Sequence, residues 1–272
     1  MTPKTGLVNP SHALETAMSA AREAGELLLR RLPKVREVNY KGLRDIVTDA
    51  DLAAQAVIVE RIQADFPEHD ILAEEGRHDL DLAGPTPLWV VDPLDGTTNY
   101  SRRFPIFSVS VAMARDGELQ VGALYDPQRR EMFHAERGKG AWVQRRRGKP
   151  QPVRVSATTD LAEALVGVDW AREPELRVRT LEGVTRVAAA CRTVRATGSA
   201  ALALAYVGCG WLDAYFHLHL LPWDVAAAAL IIQEAGGTVT TPAGAPWALG
   251  EAAVAASNGP LQPEFLAALH LQ

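Results

Sequence analysis

The sequence predicts an α/β protein whose helices and sheets are stacked in layers. Three observations carry this prediction: a helical pattern opens the chain, short segments of alternating polarity occupy the middle, and strands alternate with alanine-rich helices from Leu161 onward. The composition shifts near residue 150, so we divide the chain into an N-terminal half, residues 1–150, and a C-terminal half, residues 151–272. We expect the halves to form one compact unit with the functional site where they meet.

Helical spacing and capping residues predict two helices early in the chain. Ser11 suits the N-cap of a helix over residues 12–32. Thr48 or Asp49 begins a second helix, which runs to Phe66. The short apolar or alternating segments predict strands at 35–40, 70–73, 88–91, 107–114, 119–126, 131–135, 138–143 and 153–156.

The C-terminal half alternates between strands and helices. The predicted strands are 164–168, 192–196, 212–217 and 252–256, and the predicted helices are 173–191, 199–207, 222–235 and 261–269. Together with the helices and the meandering sheet of the first half, this alternation indicates a layered α/β architecture.

Composition and charge exclude several classes of function. The 272 residues are 47% hydrophobic and 22% charged, which is typical of a globular protein with a sizeable core. A net charge of −5 argues against a nucleic-acid partner, and the basic cluster 145–149 (RRRGK) is predicted to be a solvated hairpin tip. The longest apolar run, 225–232, is too short for a bilayer, so we expect no membrane partner. An N-terminus without a signal-like apolar core, and Cys191 and Cys209 as free thiols, favour a cytoplasmic protein.

The segment 88–101 (LWVVDPLDGTTNYS) is the strongest functional signal in the sequence. An apolar strand ends at Asp92, and Asp95 follows three residues later. Gly96, Thr97 and Thr98 then suit the start of a helix. Carboxylates at the end of a buried strand, beside free backbone N–H groups, are suited to a divalent cation together with an anion.

Carboxylates next to turns or helix starts occur at four separate places in the chain: Asp51, Glu74, Asp92 with Asp95, and Asp224. Taken singly, such residues are typical of helix caps and first turns, and their conjunction is what favours a metal site. Hard divalent cations prefer oxygen ligands, and they suit phosphate ester hydrolysis because they activate water and neutralise phosphate oxygens. No Cys or His lies at nucleophile–base spacing in these motifs, which predicts direct attack by metal-activated water without a covalent intermediate.

These motifs resemble those of the inositol monophosphatase family, the lithium-sensitive, Mg²⁺-dependent phosphatases. Residues 89–100 (WVVDPLDGTTNY) resemble the family's metal motif, and 45–51 (DIVTDAD), 73–76 (AEEG) and 222–227 (PWDVAA) are similar to its other signatures, in the family's order. The resemblance implies a layered αβαβα sandwich of the sugar-phosphatase type, which includes fructose-1,6-bisphosphatase. It also implies two or three bound Mg²⁺ ions.

The resemblance implies a role for each matching residue. Asp51 with Thr97 would orient and deprotonate the attacking water. The metal ligands would be Glu74, Asp92, the carbonyl of Leu94, Asp95 and Asp224. The expected substrate contacts are Gly96, Thr97, Thr98, Gly198, Ser199, Ala200 and His217. Lys41 lies where family members often carry a lysine on a mobile loop, and Trp170 and Arg172 follow a strand that ends near the expected pocket.

His217 is a departure from the family pattern. Inositol-selective members usually place a glutamate at this point, and a neutral imidazole cannot accept two vicinal hydroxyls as a carboxylate does. The leading hypothesis is therefore a phosphomonoesterase of a small polyol or sugar phosphate, with inositol monophosphate first. Fructose 1,6-bisphosphate, histidinol phosphate and 3′-phosphoadenosine 5′-phosphate remain alternatives, as does a regulatory or binding protein without catalysis. The resemblance also implies a homodimer and inhibition by lithium.

Overall fold

The computed structural model describes residues 9–34, 38–42, 45–76 and 78–270 of the chain. Two long helices, α1 (Pro10–Arg31) and α2 (Asp49–Asp65), lie in the N-terminal half. Asn9, not Ser11, caps α1, because Pro10 takes the first helical position and the Ser11 N–H donates to Asn9 Oδ1 (3.1 Å). Small buried side chains along α1, among them Ala17 and Ala21, let it pack closely on the sheet below.

The larger sheet contains seven strands among the described residues, in the order β3-β4-β5-β6-β7-β8-β9. Its strands are β3 (Asp70–Ala73), β4 (Leu88–Asp95), β5 (Ser108–Arg115), β6 (Glu118–Asp126), β7 (Glu131–Glu136), β8 (Ala141–Arg145) and β9 (Gln151–Pro152). Strands β3 and β4 are parallel and the other neighbours are antiparallel. Because β3 and β4 run in the same direction, their carboxyl ends lie at the same edge of the sheet.

The second sheet has five described strands, in the order β11-β10-β12-β14-β13. They are β10 (Leu165–Val168), β11 (Thr193–Arg195), β12 (Ala214–His217), β13 (Thr238–Thr240) and β14 (Val254–Ser257). The remaining helices are α3 (Thr97–Ser101), α4 (Pro174–Ala190), α5 (Ala200–Gly208), α6 (Pro222–Glu234) and α7 (Gln262–Leu269), and β1 (Val38–Gly42) and β2 (Asp45–Thr48) form a separate hairpin.

The layers are stacked as helix, sheet, helix, sheet, helix. Helices α1 and α2 cover one face of the seven-stranded sheet, and α5 and α6 cover its other face. Helices α5 and α6 contain almost only buried apolar residues because a sheet lies on each side of them. Helices α4 and α7 cover the outer face of the second sheet. The structure therefore confirms the α/β class and the αβαβα sandwich.

Several predicted boundaries differ from the structure. The predicted strand at 153–156 is wrong, because the strand that pairs with β8 is the short β9 at residues 151–152. Residues 45–48, predicted to be loop, form β2, and the sequence did not predict β13. The predicted strand at 35–40 falls partly on residues 35–37, which lie outside the described residues. The basic segment 145–149 is an exposed turn between β8 and β9, as predicted.

Both cysteines are free, as predicted, and both are half-buried. Among the helices that the structure describes, none combines the length and the apolar character that a membrane span requires.

Candidate metal-dependent active site

Three aspartates from two distant parts of the chain meet at one point. Asp92 and Asp95 lie at the end of β4, and Asp224 lies in the first turn of α6. One carboxylate oxygen from each lies within 4.8 Å of the others, and Asp92 and Asp95 are buried. Several carboxylates this close repel each other unless a cation or protons compensate their charge, so the cluster has the geometry of a divalent-cation site.

A β-bulge in β4 directs Asp92 and Asp95 to the same face of the sheet. In a regular strand, residues three positions apart point to opposite faces. Here Asp92 pairs with Ser110 and Asp95 with Ser108, so β4 carries one more residue than β5 between these pairs. The extra residue coincides with Pro93, which has no N–H to donate to the ladder. Both carboxylates therefore reach the same side.

The start of α6 fixes Asp224. Pro222 takes the first helical position, and the Leu221 N–H donates to Asp224 Oδ2 (2.7 Å). The side chain therefore also accepts a hydrogen bond from a backbone donor at the helix start. This is the capping role that the sequence predicts for such an aspartate taken singly. Its other oxygen remains for the carboxylate cluster.

The negative charges of the clustered carboxylates raise one another's pKa values. Burial raises the pKa of Asp92 well above its usual range, and the charges of Glu74, Asp95 and Asp224 raise it further. Burial likewise raises the pKa of Asp224 to about 7 and that of Asp95 to about 6. The site holds its carboxylates at an electrostatic cost that a bound cation would offset.

Asp51 and Thr97 form a hydrogen-bonded pair beside the cluster. Asp51 lies in the first turn of α2, where its Oδ2 accepts the backbone N–H (2.9 Å) and the hydroxyl of Thr48. The Thr97 hydroxyl lies 3.2 Å from Asp51 Oδ1 and 3.0 Å from the Leu94 carbonyl oxygen. Burial raises the pKa of Asp51 to about 6, so this carboxylate can accept a proton near neutral pH.

Glu74 and Leu94 lie at the same cavity. Glu74 directly follows β3, and its charge raises the pKa of Asp51, Asp92 and Asp224, which places it within electrostatic reach of all three. The Leu94 N–H donates to Asp92 Oδ1 (2.8 Å). Glu74 and Leu94 both line the cavity, together with Gly96, Thr97 and Thr98.

The loop at 197–200 lies against the cluster. The Ala200 N–H donates to Asp95 Oδ1 (3.1 Å), and the Ser199 hydroxyl donates to Asp95 Oδ2. Ser199 is buried and its side chain points to Asp95, and the predicted contact of Ser199 with the substrate stays a prediction. Gly198 and Ala200 line the cavity.

Two residues that the sequence did not single out hold this loop. Asp169, at the end of β10, accepts the Gly198 N–H (2.7 Å) on Oδ1. The Asn99 side-chain amide donates to the carbonyls of Ile106 (2.8 Å) and Thr197 (2.9 Å). Two features of the sequence could have identified them: Asp169 is a polar residue at the carboxyl end of a predicted strand, and Asn99 lies within the motif 89–100.

His217 is buried, and its ring is committed to neighbouring backbone groups. Its Nδ1 accepts the His219 N–H (3.0 Å), and the ring also hydrogen-bonds the backbone of Trp170. Burial lowers the pKa of His217 to about 4, so the imidazole is neutral at physiological pH. The ring lines the cavity and joins the end of β12 to the segment after β10.

The cavity at this site has a volume of about 450 Å³, and the buried Asp51 and Ser199 are not among its lining residues. Trp170 and Arg172 line it, which the sequence left undecided. Lys41 belongs to β1, but its side chain lies outside the described residues.

Metal-assisted phosphate ester hydrolysis requires oxygen ligands at one point and a base nearby. Here the base is the buried Asp51, which the Thr97 hydroxyl connects to the cavity. A metal-dependent phosphatase is the class of protein that the fold and the site define. The chain belongs to the inositol monophosphatase family, whose sequence model matches residues 9–272.

Individual relatives support this membership. Nus factor SuhB of Escherichia coli (strain K12) is 40% identical over 230 residues, which cover 84% of each chain. Inositol monophosphatase 2 of Solanum lycopersicum is 36% identical over 264 residues, 94% of this chain and 97% of the relative. The crystal structure of extragenic suppressor protein suhB from Bartonella henselae is similar with a TM-score of 0.88 at 32% identity, covering 96% of this chain and 99% of that one. The chain is a phosphomonoester hydrolase.

Proposed function

We propose that the protein is a Mg²⁺-dependent phosphatase of a small polyol or sugar phosphate, with inositol monophosphate as the first candidate substrate. The observation that carries the proposal is the convergence of Asp92, Asp95 and Asp224 within 4.8 Å. The neighbouring pair of Asp51 and Thr97 supplies the base that hydrolysis needs. Family membership supports the same reaction class.

The donor set fits Mg²⁺. The ligands available are carboxylates and a backbone carbonyl, which are hard oxygen donors. Burial raises the pKa values of Asp92 and Asp224 most, and the neighbouring carboxylates raise them further. Two or three ions would be held by Glu74, Asp92, the Leu94 carbonyl, Asp95 and Asp224. When bound, such ions neutralise phosphate oxygens and lower the pKa of a water molecule.

The chain's own residues position the water and receive its proton. The Thr97 hydroxyl lies 3.2 Å from Asp51 Oδ1, so the pair can orient a water in the cavity and pass its proton to the carboxylate. The backbone at Gly96, Thr97 and Thr98 lies at the cavity, where it would receive the phosphate, and Gly198 and Ala200 would contact the alcohol. We assign no side chain the role of covalent nucleophile, and Lys41 remains a candidate for a loop role.

A substrate panel tests the proposal. Phosphate release is measured with Mg²⁺ for inositol 1-phosphate, fructose 1,6-bisphosphate, histidinol phosphate and 3′-phosphoadenosine 5′-phosphate. We expect one of them to exceed the others by at least tenfold, and Asp95→Asn to abolish release. Asp116→Asn is the matched control, because Asp116 is exposed in the turn between β5 and β6 and does not line the cavity. Equal, feeble release from all four would contradict any named substrate, and full function in Asp95→Asn would favour a regulatory protein without catalysis.

A second candidate function is a binding role. The bacterial relative at 40% identity is named Nus factor, which suggests nucleic-acid or transcription-factor partners. The exposed basic turn at 145–149 is the feature of this chain that favours such a partner. Gel-shift titration with RNA at several salt concentrations tests it. Tight binding that weakens with salt and is lost in Arg146→Gln/Arg147→Gln, but kept in Asp95→Asn, would establish a role separate from hydrolysis.

We also infer a homodimer, a cytoplasmic location and inhibition by lithium. Exposed apolar side chains at Val178 and Leu181, three positions apart on α4, support an interface, and two free cysteines fit a reducing compartment. Sedimentation at micromolar concentration should give twice the mass of the chain. Lithium at millimolar concentration should inhibit release by occupying one cation position, and a full rate under those conditions would contradict this.

A further inference from the structure

Part of the cavity lining, outside the carboxylate cluster, has a distinct chemistry. We call it the distal wall and define it by six residues of the cavity lining: Trp170, Arg172, Glu173, Arg177, His217 and His219. They come from the segment after β10, the start of α4 and the end of β12.

We propose that the distal wall binds a second anionic group of the substrate, so that the preferred substrate carries a phosphate or a carboxylate besides the phosphate that is hydrolysed. This inference rests on the proposed phosphatase reaction, and within that substrate class it ranks doubly anionic esters above inositol monophosphate.

His217 does not offer the hydroxyl-accepting group that a polyol would need. Its Nδ1 already accepts the His219 N–H (3.0 Å), and the ring is also bonded to the backbone of Trp170. A neutral imidazole has one donor and one acceptor, so these two bonds use its capacity. The ring therefore fixes the position of the segment that carries Trp170. We expect the side chains of that segment, and not the His217 ring, to contact the substrate.

Arg177 is held in a fixed orientation at the wall. Its guanidinium carbon lies 5.7 Å from the centroid of the Trp170 ring, and its Nη1 donates to the Ala171 carbonyl (3.2 Å). A guanidinium has five N–H donors in a planar fork, so this bond leaves donors that suit a carboxylate or phosphate. Because stacking and the backbone bond hold the side chain, less conformational entropy is lost when an anion binds.

Arg172 extends the positive charge towards the catalytic end. It lines the cavity, and its charge lowers the pKa of Asp224, which places it within electrostatic reach of the cluster. Glu173 opposes this charge, but its Oε1 is paired with His219 Nδ1 (3.0 Å). With His217 neutral, two guanidinium groups face one carboxylate, and the distal wall is positive overall.

Matched substrate pairs test the inference. Fructose 1,6-bisphosphate is compared with fructose 1-phosphate, and 2-phosphoglycerate with glycerol 2-phosphate, so that the members of each pair differ by one anionic group. We expect kcat/KM to be about tenfold or more higher for the doubly anionic member of at least one pair, because a charge-assisted hydrogen bond contributes that much. The pair that shows the preference distinguishes phosphate from carboxylate. The preference should shrink as salt is added.

Variants of the distal wall test which side chains cause the preference for the doubly anionic substrate. Arg177→Gln and Arg172→Gln should lower the ratio of the two kcat/KM values towards one, and Glu173→Gln should raise it. Arg179→Gln is the matched control, since Arg179 is exposed on the same helix and is outside the cavity lining. A wild-type ratio of the two kcat/KM values near one would overturn the inference. An equal loss of kcat/KM on both substrates of a pair in Arg172→Gln would also overturn it, because Arg172 would then act on the hydrolysed phosphate.

Calorimetry separates this inference from the proposed function. If no pair member releases phosphate with Mg²⁺, the proposed hydrolysis fails on its own. The affinities of the wild-type protein for fructose 1,6-bisphosphate and fructose 1-phosphate, measured with Ca²⁺, then still show whether the distal wall binds a second anionic group. Tighter binding of the bisphosphate that Arg177→Gln removes supports the inference, and equal affinities overturn it.

Discussion

At the scale of single residues, Thr97 links the two functional parts of the site. Its hydroxyl lies within hydrogen-bond distance of the Asp51 carboxylate and of the Leu94 carbonyl, a candidate metal ligand. A hydroxyl has one hydrogen and two lone pairs, so it can donate to Asp51 while it accepts from a water.

Replacing the Thr97 hydroxyl should separate its chemistry from its shape. Thr97→Val keeps the branched side chain and removes the hydroxyl, and we expect kcat to fall by about 10²-fold, the usual contribution of a proton-transfer group. Thr97→Ser keeps the hydroxyl and should retain most of the rate. Steady-state kinetics at saturating Mg²⁺ gives the comparison. Equal losses in the two variants would show that the residue acts only through packing.

At the scale of elements, the loop at 197–200 depends on glycine at position 198. Gly198 has φ of +74°, and a Cβ there would lie 2.8 Å from the Asn99 side chain. Its N–H donates to Asp169, and the next two residues donate to Asp95. The loop therefore transmits the position of β10 to the carboxylate cluster, and a small displacement would reach the cation site.

Gly198→Ala and Gly138→Ala form a matched pair that tests this loop. Both glycines have φ of +74°, so both alanines pay a similar backbone cost of about 1–2 kcal/mol. A Cβ at Gly138 meets nothing within 4 Å, and Gly138 lies in the turn between β7 and β8. We therefore expect both variants to lose melting temperature, with the larger loss in Gly198→Ala because its Cβ also meets Asn99, and a fall of about tenfold or more in Mg²⁺ affinity for Gly198→Ala alone. Unchanged Mg²⁺ affinity in both would contradict the role of the loop.

At the scale of the whole molecule, the carboxylate cluster couples stability to pH and cations. The pKa values of Asp51 and Asp95 are raised to about 6 and that of Asp224 to about 7, whereas these groups ionise near 4 in an unfolded chain. Between these values the folded state binds more protons than the unfolded state. Without cations, stability should therefore fall as pH rises through 4 to 7.

Mg²⁺ should reverse this loss, because the ionised form of the cluster is the form to which a divalent cation would bind. We expect a saturating concentration to raise the melting temperature by about 5–10 °C at pH 8 and by much less at pH 5. Asp95→Asn should stabilise the cation-free protein at pH 8, since it removes one repelling charge, and should also cut the Mg²⁺ shift. Thermal unfolding with and without Mg²⁺ measures both signs, and a shift of equal size at the two pH values would contradict the coupling.

The shared core between the sheets joins the two halves of the chain. Val90, Ala112 and Phe133 of the N-terminal half pack in one buried cluster with Val225 and Leu230 of α6. A fragment of residues 1–150 would expose this face to water, so we expect it to lack a cooperative thermal transition. Co-expression with residues 151–272 should restore the transition. Cooperative unfolding of the first fragment alone would show two independent domains.

The sequence by itself determined the α/β class, most helices and the identity of the carboxylates, because periodicity, caps and motif spacing are local properties. It misplaced or missed short strands such as β9 and β13, whose pairing depends on distant partners. Only the tertiary structure decided which groups share the cavity, that Ser199 turns to Asp95 and that Asp169 holds the loop. The physical reason is that these contacts join residues 29 to 104 positions apart, and their geometry follows from how the layers pack and from the bulge in β4.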